Sequence, residues 1–240
     1  YSLAQGLSGL ENMSLIPGTV GAAPLQNIGA YGAELRDTFE QLEAVEISTG
    51  ALRTFSAEEC AFGYRESVFK NKLKGQFVVT AVVFRLHRQG QPNVRYGDIQ
   101  TTLAAQGVTG PPTPQEVSRA VVHIRRSKLP DPAQIGNAGS FFKNPEIPTA
   151  QYASLKEQFP AMPGYRLSDE VVKVPAGWLI EQAGWKGYRV GDAGVHAKQA
   201  LVLVNYGNAT GDAILDLARQ IQQSIRDTYG ITITPEVNVV

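Results

Sequence analysis

Four stretches of this chain carry side chains whose types and spacing could do chemistry. In Gly63-Tyr64-Arg65-Glu66 an arginine follows a tyrosine, and its planar guanidinium fork suits a carboxylate. In Gly136-Asn137-Ala138-Gly139-Ser140 a run of small residues ends on a hydroxyl, and Phe141-Phe142-Lys143-Asn144-Pro145 follows, with two aromatics that can wall off water. No histidine spacing nearby marks Ser140 as activated, and the run is not the GxSxG of a hydrolase elbow. The hydroxyl therefore reads as a proton or hydrogen-bond donor rather than a nucleophile. In Pro235-Glu236-Val237 a carboxylate stands directly after a proline, behind an Ile-Thr-Ile-Thr run that could hold it at a pocket rim. Between Gly6 and Gly32, glycines at 6, 9, 18, 21, 29 and 32 alternate with Pro17 and Pro24. Small residues this dense let backbone N–H groups approach a phosphate or a planar ring. Each stretch also has a plain alternative: a surface arginine packed on a tyrosine, a turn serine, a solvated glutamate, a tightly packed loop. Spacing alone leaves both readings open.

The elements that must position these residues read as a mixture. Gly6 to Gly32 favours irregular backbone. Glu40 to Ile47, the turn Ser48-Thr49-Gly50 and Leu52 to Phe55 predict a hairpin. Phe77 to Leu86, rich in β-branched residues, predicts a buried strand. Gln115 to Arg126 carries Val117, Val121 and Ile124 at helical spacing, with Thr113 placed to cap it and Pro114 at its first turn. Lys128-Leu129-Pro130-Asp131-Pro132 is a stiff breaker and the best candidate domain boundary. Beyond it we expect a loop over 136–145, helices near 150–158 and 176–183, a strand over 201–204, and a helix over 212–228. That last helix has Thr210 to cap its start and Gly230 its end. A final strand through Ile231 and Ile233 closes the chain. Strands and helices interleave irregularly, which predicts an α+β fold.

Composition sets the outer bounds. The chain has 240 residues, 43% hydrophobic and 18% charged, so it is not a disordered chain. Lys plus Arg and Asp plus Glu are 22 each, a balance without the basic excess of a phosphate-led nucleic-acid binder. The longest apolar runs fall well short of the ~20 residues that span a bilayer, and the first residues do not read as a signal peptide, so none is expected. One cysteine, Cys60, and the scattered His87, His123 and His196 offer no disulfide framework and no metal-ligand spacing. The expectation is a cytoplasmic protein without a metal.

The string Gly9-Leu10-Glu11-Asn12, Ile16-Pro17-Gly18 and Gln26-Asn27-Ile28-Gly29-Ala30-Tyr31-Gly32 strongly resembles the UDP-N-acetylenolpyruvoylglucosamine reductase family, in its longer, type I branch. The resemblance runs through the whole chain with the motifs in family order. It implies a flavoenzyme that uses NADPH to reduce the enolpyruvyl ether of UDP-N-acetylglucosamine to UDP-N-acetylmuramate for peptidoglycan. It implies FAD contacts at Ile16, Gly18, Gly21, Gln26, Asn27, Gly29 and Ala30. Ala22, where many relatives carry serine, departs from the pattern and could remove one hydrogen bond to flavin. Tyr64 would help bind substrate, Arg65 would polarise its carboxylate, Ser140 would give a proton to C2, and Glu236 would complete the proton-handling group. Tyr96, Lys128, Asn144 and Gln199 would contact the UDP-sugar, Tyr96 from a mobile loop.

By the same resemblance, residues 1–129 form the second lobe of a two-lobe FAD-binding domain of the vanillyl-alcohol-oxidase type. Residues 130–229 form the substrate domain, and 230–240 return to the active site. The family's preceding FAD-gripping lobe has no counterpart here, so the chain is expected to be a fragment. It would hold FAD weakly or not at all, and it would self-associate through surface near Leu7, Leu10 and Leu25. Two uses follow: a reductase, or a UDP-sugar-binding module without stable flavin. A related sugar oxidase would lack Gly-Ser-Phe-Phe-Lys-Asn-Pro, and a noncatalytic protein would not need Arg65, Ser140 and Glu236 together.

Overall fold

The protein is described from a computed structural model, which covers residues 1–239; Val240, the end of the predicted 230–240 segment, lies outside the described residues. Contacts divide the chain into two compact units, Tyr1–Ser127 and Lys128–Val240.

In the first unit the glycine-rich segment is wound into short 3-10 turns at Ser2–Gln5, Glu11–Met13 and Val20–Gln26. It then forms a small hairpin of β1 (Gly29–Ala30) and β2 (Ala33–Glu34). A three-stranded antiparallel sheet follows, from β3 (Phe39–Glu46), β4 (Leu52–Ser56) and β5 (Phe77–Phe84), in the order β4-β3-β5. The one-turn helix α1 (Ala57–Cys60) opens with a capping box between Ser56 and Glu59. The hairpin stands where the turn chemistry put it. The buried reading of β5 is corrected: Val78 and Val83 are exposed, because β5 is an edge strand with one face covered. A register shift at Thr80 resets the alternation, so that Phe77, Val79, Val82 and Phe84 all reach the core with Leu42, Phe55 and Phe69. The apolar run hides a period of two.

The rest of this unit is helical. Helix α2 (Gly97–Ala105) was not predicted; it buries Ile99 and Leu103 against Val117, Val121 and Ile124 of α3 (Pro114–Lys128). Thr113 caps α3 as expected: its hydroxyl accepts from the Glu116 N–H (3.3 Å) while the Glu116 carboxylate accepts from the Thr113 N–H (2.8 Å).

The second unit opens on β6 (Gly136–Ser140), followed by β7 (Glu146–Pro148), α4 (Thr149–Gln158), β8 (Tyr165–Arg166), β9 (Val171–Lys173) and α5 (Ala176–Gln182). Then come β10 (Arg189–Val190), β11 (Ala193–Val195), β12 (Val202–Asn205) and α6 (Gly211–Tyr229). Two antiparallel sheets result, in the orders β10-β11-β12-β6 and β7-β9-β8. The expected loop over 136–145 is thus partly a strand. Its glycines offer little β propensity, but β12 supplies a ladder for them to join. Conversely, Ile231 and Ile233 are fully buried yet form no regular strand; an isolated bridge pairs Pro235 with Phe142 instead.

Leu217, Ile221 and Ile225 of α6 face the core beside Leu179, Ile180 and Val195. Thr210 accepts from the Ala213 N–H (3.2 Å), and Gly230 takes the left-handed conformation (φ 63°) that ends the helix. Mixed helix and antiparallel strand fit the α+β expectation. No helix among the described residues is long and apolar enough to cross a membrane. Near the amino terminus Tyr1, Leu15 and Val20 stand exposed, whereas Leu7, Leu10 and Leu25 are half-buried. Thr210→Ala should remove the α6 cap and lower stability by about 1 kcal/mol. The readout is a lower urea midpoint with an unchanged slope; an unchanged midpoint would mean the cap carries no weight.

Candidate active site

In the second unit the chain end is stitched onto the residues around Ser140. The Phe141 N–H donates to the Leu201 carbonyl (2.7 Å), and Ser140 pairs with Val202 across β6 and β12. On the other side the Glu236 N–H donates to the Phe141 carbonyl (2.8 Å) and the Lys143 N–H to the Thr234 carbonyl (2.9 Å). Glu236 is therefore backbone-bonded to the residue that follows Ser140. Gly139 at φ 75° and the Asn137 carboxamide, which accepts from the Gly139 N–H (3.0 Å), shape the strand just before the hydroxyl.

The segment is fixed from behind. Gln222 donates to the Ile233 carbonyl (2.8 Å) and Gln151 to the Gly230 carbonyl (3.2 Å). The Asn144 oxygen accepts from the Ala176 N–H at the start of α5 (2.9 Å), so its amide NH2 is the end left to donate to a ligand. The Gln199 oxygen lies in the same neighbourhood, 3.4 Å from where a side chain on Gly177 would begin. Lys128 opens this unit. A hydroxyl, a carboxylate, a donor amide and a glutamine in one unit can bind an oxygen-rich ligand and move a proton.

In the first unit, the glycine-rich segment and the Tyr-Arg stretch prove to be one cluster. Gly63 and Glu66 exchange backbone hydrogen bonds (3.0 and 3.2 Å), leaving Tyr64 and Arg65 as the two residues at the tip of a tight turn. Arg65 sits at φ 55°, a strained position for a residue with a Cβ, and its guanidinium donates to the Gly29 carbonyl (2.6 Å). The Ser67 hydroxyl donates to the Leu25 carbonyl (2.6 Å), and the Lys70 ammonium lies 3.5 Å from the Gln26 oxygen. A Cβ on Gly29 would meet the Ala33 carbonyl at 2.6 Å and the Arg65 guanidinium at 3.1 Å, so glycine is required there.

Other members of the expected flavin set differ in what they leave available. Gly21 lies tight against the Val79 backbone (3.1 Å to a built Cβ), and Asn27 is completely buried with its side chain engaged inside the protein. Ile16 and Ala30 are half-buried, and Gly18, exposed and at φ 112°, has open space where a Cβ would stand. Leu15 and Val20 beside them are 47% and 60% exposed.

Tyr96, expected on a mobile loop, is the residue before α2 and meets Tyr31 edge-on, with ring centroids 5.3 Å apart. Tyr31 was not assigned a role. It occupies the first position of the two-residue β1–β2 turn at φ 51°, followed by Gly32 at φ 81°. Asn-Gly is the common solution for such a turn, so a tyrosine there was the available signal. Burial raises the Tyr31 hydroxyl above its ordinary range, with the Arg125 guanidinium opposing it. Burial also pushes the Cys60 thiol up to about 12, which leaves it protonated and inert. Among the described residues no group of His, Cys, Asp and Glu is placed to hold a metal.

A chain 53% identical over 241 residues is UDP-N-acetylenolpyruvoylglucosamine reductase from Flavobacterium johnsoniae; the match covers 100% of this chain and 71% of that relative. The chain belongs to the UDP-N-acetylenolpyruvoylglucosamine reductase family. A reductase of the same name from Chromobacterium violaceum is 56% identical, over 98% of this chain and 69% of its own length. The family's C-terminal domain (UDP-N-acetylenolpyruvoylglucosamine reductase, C-terminal domain) matches residues 131–240. Among solved structures, UDP-N-acetylenolpyruvylglucosamine reductase from Thermus caldophilus is similar with a TM-score of 0.65 at 26% identity. That match covers 99% of this chain and 66% of the Thermus chain.

His196 is the remaining irregularity of this family member. Its Nδ1 is buried and unpaired among the described residues, and burial, reinforced by the Lys198 charge, lowers its pKa from the ordinary 6.5. A lowered histidine favours the folded state when neutral, so its contribution is present above pH 6.5 and is lost on acidification. His196→Gln should therefore flatten the fall in melting temperature below pH 6.5 relative to the parent. Parallel curves for the two proteins would contradict this.

Proposed function

We propose that this chain serves an enzyme that reduces the enolpyruvyl ether of UDP-N-acetylglucosamine to UDP-N-acetylmuramate, with FAD as hydride carrier and NADPH as reductant. The product would feed peptidoglycan synthesis in a bacterial cytoplasm, and hence cell-wall growth, cell shape and division. The observation that carries the reading is the backbone bond from Glu236 to Phe141, which ties a carboxyl-bearing residue to the neighbour of Ser140. The family membership supplies the chemistry those residues would serve.

FAD, when bound, supplies the hydride that reaches C3 of the enolpyruvyl group. Ile16, Gly18, Gly21, Gly29 and Ala30 would hold it through main-chain groups, and Gln26 through its side chain. Residues 1–129 would be the second lobe of the FAD-binding domain, residues 130–229 the substrate domain, and 230–240 the segment that completes the active site. As hydride arrives at C3, negative charge builds on C2 and spreads into the adjoining carboxylate. The Arg65 fork would neutralise that carboxylate, and Glu236 in its protonated form would share the developing charge. The Ser140 hydroxyl would then give its proton to C2, completing addition of H⁻ and H⁺ across the double bond. Tyr64, Tyr96, Lys128, Asn144 and Gln199 would hold the UDP-sugar.

Loss of a positioned acid costs about 10²–10⁴-fold in rate. Ser140→Ala in the complete, flavin-loaded enzyme should therefore slow reoxidation of reduced flavin by substrate to that extent while leaving substrate affinity nearly intact. Rapid-mixing absorbance at the flavin band reads this directly. A variant that reoxidises at the parent rate would remove Ser140 from the reaction.

A further inference from the structure

We infer that Asn27 is a positioning residue for Arg65, acting by holding the turn that carries it rather than by touching a ligand through its side chain; this rests on the proposed role of Arg65 as carboxylate binder. Asn27 is 0% exposed, at φ 44°, and every polar group of its carboxamide is spent. The nitrogen donates to the Glu34 carboxylate (3.1 Å) and to the Gly63 carbonyl (3.0 Å), while the oxygen accepts from the Arg36 N–H (3.0 Å). Glu34 is in turn held by the Arg36 guanidinium (2.8 Å).

One of these bonds, and the chain just beyond Asn27, bear on Arg65. Gly63 is the first residue of the turn with Tyr64 and Arg65 at its tip, so the Asn27–Gly63 bond anchors the base of that turn. Gly29, two residues beyond Asn27, offers the carbonyl on which the Arg65 guanidinium rests. Asn27 thus anchors the turn that presents the arginine and stands two residues before the carbonyl that aims it. An arginine in a left-handed turn position costs energy that surrounding bonds must supply, and a fully engaged buried carboxamide is such a support. A merely structural Asn27 would need its bonds to Glu34 and Arg36, but not the one to Gly63.

The test separates those bonds. Asn27→Asp keeps the acceptor for Arg36 but points an oxygen at both Glu34 and the Gly63 carbonyl. Adding Glu34→Gln restores a donor–acceptor pair between positions 27 and 34 and leaves Gly63 unbonded. Binding of the enolpyruvyl ether and of UDP-N-acetylglucosamine, which lacks the carboxylate, is measured by calorimetry in the 240-residue chain. N27D should weaken the ether about tenfold, the size of one misplaced charged contact, with the plain UDP-sugar changed by less than about twofold. N27D/E34Q should regain the melting temperature but not the carboxylate preference, which also covers an N27D too unstable to study. Equal losses for both ligands, or a preference restored in the double variant, would overturn the inference. R65K is measured alongside. If R65K keeps the preference, the carboxylate role of Arg65 fails and the inference with it; if R65K loses it and the Asn27 variants do not, only the inference fails.

Discussion

The second unit depends on keeping an extended chain end seated beside a glycine-rich strand. Terminal segments fray unless something ties them down, and the last described residues here are tied by main-chain bonds from Glu236 to Phe141 and from Lys143 to Thr234. Those bonds would be weak alone, since a net intramolecular hydrogen bond contributes about 1 kcal/mol. Burial supplies the rest. Ile231 and Ile233 are sunk into the core beneath α6, and each such side chain stabilises by roughly 1.5–3 kcal/mol. The segment that carries Glu236 is thus held by the hydrophobic interior of the second unit. Placing a carboxyl group three residues beyond the buried Ile233 gives it a fixed address.

The first unit meets the same need by another route. Its glycine-rich segment contains little regular structure, and Leu15, Asn27 and Tyr31 all adopt left-handed backbone, as does Arg65 opposite them. Such conformations persist where the surroundings over-determine them. Here the determinants are side-chain to main-chain bonds: Asn27 to Gly63, Arg65 to Gly29 and Ser67 to Leu25. Polar satisfaction takes the place of a ladder, and the result is an ordered loop that leaves Gly18 exposed.

What the sequence revealed follows from how local each cause is. The caps of α3 and α6 lie within a few residues of the helices they serve, and Thr113, Thr210 and Gly230 were readable for that reason. Helix α2 escaped because Ile99 and Leu103 are its two buried apolar residues, set among threonines and glutamine. Strand β6 looked like a loop because Gly-Asn-Ala-Gly has no strand preference; its partner β12 is more than sixty residues away. The side chains that could do chemistry were readable from type and motif. What engages them was not, since Asn27 meets partners 7, 9 and 36 residues distant and its sequence context looks the same whether it faces a ligand or the interior.

The central claim is that Ser140 and Glu236 act on one carbon of one ligand, held there by the chain end. A crystal structure of the protein with FAD and the enolpyruvyl ether bound tests it most directly. The account requires the Ser140 hydroxyl within hydrogen-bonding reach of C2, with the Glu236 carboxyl beside that same carbon. An enolpyruvyl group lying away from both side chains, with the Pro235–Val237 segment still seated on Phe142, would contradict it.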